Sequence, residues 1–105
     1  MKEPNVKRNV DKMLKACGAH VYKCSPMGSA YGARGVPDRI ACVRGHFLAI
    51  ECKTTGRKPT EYQGLVHHMI GEAGGTCMVI DGPEGLETLR KWLIDRLNNA
   101  GPEQT

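Results

Sequence analysis

The sequence predicts a single α/β domain with the element order αβββαβα and a mixed sheet flanked by helices. Three observations predict it. Apolar residues recur at helical spacing near both ends of the chain, at Val6, Val10 and Leu14 and again at Leu86, Leu89, Leu93 and Leu97. Two strand-like runs, 38–43 and 46–53, are separated only by Arg44-Gly45. A third apolar run, 76–81, lies between two further helix signals. The 105 residues fit one domain with one modest core, spanning 1–105 with 101–105 as a frayed tail.

The first helix is expected over 4–17, with Pro4 in its first turn and Gly18 at its stop. Residues 19–24 (AHVYKC) form a short strand candidate. Residues 25–35 (SPMGSAYGARG) are rich in glycine and show no periodicity, so a mobile loop is expected there. The two strands of the hairpin follow, then a polar loop at 54–59. Thr60 can cap a helix running to about residue 73, which Gly74-Gly75 would end. After the buried strand at 76–81, Gly82-Pro83 turns the chain into the final helix.

Composition narrows the function classes. The apolar fraction is 40%, and no stretch is long and apolar enough to cross a membrane. The first residues are charged and contain no apolar run, so no secretory leader is expected. Fifteen Lys and Arg give a net charge of +4, which suits a polyanionic partner without identifying one. The five Cys, at 17, 24, 42, 52 and 77, include no Cys-x-x-Cys. Cys42, Cys52 and Cys77 lie in apolar runs and read as small hydrophobes, which fits reduced thiols and a cytoplasmic location. A zinc site built from His20, Cys24 or His67-His68 matches no standard ligand spacing.

The hairpin carries the chemistry. A two-residue Arg44-Gly45 loop sets Val43 opposite His46, Cys42 opposite Phe47, Ile40 opposite Ala49 and Asp38 opposite Glu51. Side chains alternate, so Asp38, Ile40 and Cys42 share a face with Phe47, Ala49, Glu51 and Lys53. Two carboxylates would then stand roughly 5 Å apart on otherwise apolar strands, where like charges destabilise a sheet. A divalent cation between them removes the conflict, and oxygen ligands with retained water favour Mg²⁺, or Mn²⁺ as a substitute, over zinc. Lys53 points into the same pocket.

Gly35-Val36-Pro37-Asp38, then Ile50-Glu51-Cys52-Lys53, then Gln63 in the next helix, resemble the PD-(D/E)XK nuclease superfamily. The stretch RGVPDRI…GHFLAIECKTTGRKPTEYQ, residues 34–63, is similar to the signature of its VRR-NUC branch, the virus-type replication-repair nucleases. The resemblance implies a restriction-endonuclease-like fold and magnesium-dependent phosphodiester hydrolysis leaving a 5′-phosphate. It implies Asp38 and Glu51 as metal ligands, the Cys52 backbone carbonyl as a third ligand, and Lys53 as the group that orients water and offsets transition-state charge. Gln63 matches the branch's site-facing glutamine, but Thr60-x-x-Gln63 also reads as a capping box. Glu3 matches the acidic residue that opens the first helix in this family, where it can reach the metal. A helix-start acid is equally ordinary dipole complementation. Asp11 falls off that helical phase and reads as solvated.

Phosphate contacts are expected from Lys23, Arg34, Arg39, Arg57 and Lys58, with Tyr31 a candidate for stacking on a base. No sequence-reading module is present, so substrate choice would rest on nucleic-acid shape. Stand-alone members of the branch resemble dimeric Holliday-junction resolvases. A branched DNA substrate and a homodimer, with Trp92 and Ile94 widening the apolar face of the last helix, are therefore the leading expectation. Action on flaps, nicks, ends or duplex, and a catalytically silent DNA-binding module, are the alternatives.

Overall fold

The computed structural model describes residues 1–24 and 35–98. The expected loop at 25–35 therefore falls almost wholly outside the described residues, as do Tyr31, Arg34 and the tail at 101–105. The side chain of Lys23 lies outside them too.

Among the described residues the chain runs α1 (Glu3–Ala16), β1 (Val21–Cys24), β2 (Arg39–Val43), β3 (His46–Cys52), α2 (Glu61–Glu72), β4 (Thr76–Ile80) and α3 (Pro83–Asn98). This is the predicted order. One short 3₁₀ turn, Gly18–His20, takes the first residues assigned by sequence to β1. Gly18 supplies the left-handed backbone (φ 61°) that stops α1.

The sheet is mixed, with the order β1-β2-β3-β4. β1, β2 and β3 form an antiparallel meander, and β4 returns parallel to β3 after the α2 crossover. The hairpin register is the predicted one: Val43 pairs with His46, Cys42 with Phe47 and Ile40 with Ala49. Arg44 and Gly45 both take positive φ, 49° and 90°, the geometry that lets a two-residue loop follow the twist of its strands. The ladder ends at Arg39 opposite Ile50, so Asp38 sits just outside the strand rather than as its first residue.

One face of the sheet holds the core. Ala41, Val43, Leu48, Ile50, Cys52 and Ile80 pack with Val6, Val10 and Leu14 of α1 and with Leu89 and Leu93 of α3. Leu86 and Leu97 lie at its margin, as does Trp92, which packs against this core and carries Arg96 over its ring. α2 covers part of the other face and buries none of its residues fully. The strand predicted as buried, β4, is an edge strand whose Val79 is exposed. Cys42, expected in the core, also points to this less covered face and is exposed. Cys52 is the true core thiol, with burial pushing its pKa up to about 12.

Candidate active site

The site is assembled where three elements converge on the end of β3. α1 is moored there by the loop that follows the strand. The Glu3 N–H donates to Thr54 Oγ1 (3.0 Å) and the Thr55 N–H to the Met1 carbonyl (3.0 Å). The approach to Asp38 passes against α2 at Gly35, where a Cβ would lie 2.8 Å from Val66 Cγ2 and 3.0 Å from Tyr62 Cδ2. With φ at +77°, this is a position only glycine fills without strain.

Pro37 then does local work. In the register, it is the residue that would face Cys52 in the next hydrogen-bonded pair, and it has no N–H to give. The Cys52 N–H donates to Asp38 Oδ2 (2.8 Å). The Cys52 carbonyl, on the same edge of the strand, cannot receive a ladder bond from Pro37. Asp38 and the Cys52 carbonyl are thus brought to one edge.

Glu51 is the centre of the arrangement. Among the described residues it is the one charged side chain that is buried, 3% exposed. Its Oε2 accepts from Gln63 Nε2 (3.1 Å) and lies 3.6 Å from Lys53 Nζ. Burial and the neighbouring Asp38 charge raise its pKa to about 7, against the opposing pull of Lys53. Its Oε1 is buried with no hydrogen-bond partner, and so is His67 Nε2, 3.9 Å away. Burial, then the Lys53 charge, lowers the His67 pKa.

Gln63 resolves a choice that the sequence left open, because its amide performs both tasks. Its Oε1 accepts from the Thr60 N–H (2.8 Å) while its own N–H donates to Thr60 Oγ1 (3.1 Å), a complete capping box. Its Nε2 is left over for Glu51.

Glu3 also reaches the site, through Lys7. The Lys7 ammonium lies 3.1 Å from Glu3 Oε2 and 3.9 Å from Asp38 Oδ1, bridging the two acids. Lys7 and His67 are the site neighbours that sequence reading did not assign. Helical spacing carried a weak signal for both, since Lys7 is four residues after Glu3 and His67 four after Gln63.

Arg39, expected to contact phosphate, is engaged within the fold. Its guanidinium grips Asp11 through two bonds (2.7 and 3.0 Å) and donates to the Asp38 carbonyl (2.9 Å). Asp11, read as solvated, is the other half of that fork, since α1 packs close enough to the start of β2 for the two side chains to meet. Arg57 and Lys58 are exposed on the loop just after Lys53.

Among the described residues, no three His, Cys, Asp or Glu side chains stand at metal-ligand spacing. A cation at this edge would be held by the Asp38 and Glu51 carboxylates, the Cys52 backbone carbonyl and water. The donors present suit that. They are all oxygen, they lie at one edge, and the Asp38 charge helps raise the Glu51 pKa, a conflict that a cation would relieve.

A buried Glu-x-Lys on a sheet, faced by a Pro-Asp at the neighbouring strand's end, defines a nuclease of the PD-(D/E)XK type, in its VRR-NUC branch. A solved "VRR_NUC domain" has the same fold with a TM-score of 0.68 and 25% identity, covering 87% of this chain and 96% of that one. The phage protein described as "Putative nuclease p44", from Acyrthosiphon pisum secondary endosymbiont phage 1, is 33% identical over 86 residues, 80% of this chain and 87% of the relative. Residues 2–64 match the model of the archaeal Holliday junction resolvase (Hjc) family, and the chain belongs to that family. The matched span runs over the sequence-predicted residues Glu3, Asp38, Glu51, Cys52, Lys53 and Gln63.

Proposed function

We propose that this chain is a Mg²⁺-dependent, structure-selective deoxyribonuclease that hydrolyses phosphodiester bonds in branched DNA, with the four-way Holliday junction as its substrate and the cytoplasm as its location. The observation that carries the reading is Glu51: a buried carboxylate beside Asp38, aligned by Gln63 and partnered by Lys53. A fold that needed only stability would not hold an acid there at a pKa of about 7. The junction as substrate is supported by the family match, which spans those residues.

In this reading Asp38, Glu51 and the Cys52 carbonyl hold the cation, with Glu3 next to them across Lys7. Mg²⁺ would polarise the scissile phosphate and lower the pKa of attacking water. Lys53 offsets charge on the transition state from its place beside Glu51 Oε2, and Gln63 fixes the plane of the Glu51 carboxylate. Arg57 and Lys58 contact phosphates flanking the cleaved bond. Lys23, Arg34 and Tyr31 keep the roles that sequence gives them.

A homodimer would present two such sites to a junction with approximate two-fold symmetry. Among the described residues, exposed large apolar side chains lie on α2 and beside it, at Tyr62, Leu65, Met69, Val79 and Phe47, in addition to Ile94 of α3.

Product mapping on a junction, a flap and a duplex of matched sequence tests the proposal. The junction is expected to be cut in Mg²⁺ or Mn²⁺, faster than the others, and not in chelator. Equal cutting of flap or duplex would replace the substrate, and binding without any cleavage in either metal would leave a silent DNA-binding module.

A further inference from the structure

We infer that His67 is a positioning residue for Glu51, its Nε2–H donating to Glu51 Oε1 while Gln63 holds Oε2, so that the two together fix the plane of the carboxylate. This rests on the reading of Glu51 as a cation ligand. His67 lies beyond the family-matched residues 2–64, so that match says nothing of it.

The two atoms are the observation. Glu51 Oε1 and His67 Nε2 are both buried, both without a hydrogen-bond partner, and 3.9 Å apart. The side chains that carry them are 4% and 12% exposed. A buried donor or acceptor left unpaired bears its full desolvation penalty, and two facing ones can relieve each other. An approach of about 1 Å brings them to hydrogen-bond length.

The elements around the pair suit the role. Oε2 is already in use by Gln63 and Lys53, and Oε1 is the oxygen left over. His67 follows Gln63 by one helical turn, so α2 presents two donors to the two oxygens of one carboxylate. Gln63 is fixed by the capping box, which sets the depth at which His67 enters. A carboxylate gripped at both oxygens cannot rotate, and outer partners of this kind typically change metal affinity by about 10–100-fold.

Two measurements test it. In the whole chain, ¹⁵N NMR of the histidines should show His67 as the neutral Nε2–H tautomer. Mg²⁺ or Mn²⁺ binding followed by calorimetry should weaken about 10–100-fold in His67→Leu. It should be restored largely in His67→Gln, whose amide N–H can reach the same oxygen, and stay at the wild-type value in His68→Asn. Wild-type affinity in His67→Leu, with binding lost in Glu51→Gln, overturns the inference and leaves the nuclease reading standing. So does an Nδ1–H tautomer, or a His67→Gln as weak as His67→Leu in a protein that still melts cooperatively. Unchanged cation binding in Glu51→Gln would overturn the nuclease reading instead.

Discussion

The two faces of β3 obey opposite rules. On one face Leu48, Ile50 and Cys52 are fully buried in the apolar core with residues of α1 and α3. On the other, Phe47 is 43% exposed, Ala49 is buried, and Glu51 is a buried acid whose proton affinity is raised by its surroundings. Alternation along a single strand thus separates a face that stabilises the domain from one that is held at a cost. The lesson is that the carboxylate is placed by the core but is not part of what keeps the core folded.

The largest expected effects break the two faces apart. Glu51→Gln should cut junction cleavage by about 10³-fold or more, a loss in the range seen when a transition-state electrostatic group is removed. Its thermal melting at neutral pH should not fall. Ile50→Ala should do the reverse. Denaturant unfolding should show a loss of about 2–5 kcal/mol for the cavity, while cleavage per folded molecule stays near wild type.

Gln63 sharpens the comparison because it serves both faces of the argument. Gln63→Glu keeps an acceptor at the third helical position, so the capping box and the melting temperature should survive. It replaces the donor to Glu51 with a second anion, and cleavage should drop about 10–100-fold. Gln63→Ala should lose both the cap, about 1 kcal/mol, and activity. A Gln63→Glu enzyme as active as wild type would reduce the residue to a helix cap.

The smallest effect is a pH dependence. Glu51 has its pKa raised from 4.5 to about 7, so between those values the folded chain holds a proton that the unfolded chain releases. Its contribution to stability is complete below about 4.5 and is lost as pH rises to about 7. In chelator, the difference in melting temperature between Glu51→Gln and wild type should therefore grow in favour of the variant from about pH 5 to about pH 8. Added Mg²⁺ should shrink it by stabilising the wild-type carboxylate alone.

Much of this was legible in the chain. The αβββαβα order follows from periodicity and punctuation. The hairpin register follows from Arg44-Gly45, because a two-residue loop leaves one pairing. That register sets Asp38 and Glu51 at the same level. What was not legible are pairings that close over long separations. The pairing of Arg39 with Asp11 was hidden because Asp11 is 28 residues away on a helix whose packing angle the sequence does not give. Lys7 was hidden for the same reason, since its meaning depends on Asp38 across the fold. Cys42 and β4 look apolar in sequence, but α2 covers only part of their face of the sheet. His67 could be placed one turn from Gln63, yet only its buried, unpaired nitrogen distinguishes it from a surface residue.

The most direct test of the central claim is cleavage of a labelled four-way junction in Mg²⁺, with binding measured in parallel, for wild type, Lys53→Ala and Asp38→Ala. Both variants should fail to cut, and Lys53→Ala should still bind the junction close to wild type. Equal cleavage by all three proteins would show that the chemistry, if any, is done elsewhere on the molecule.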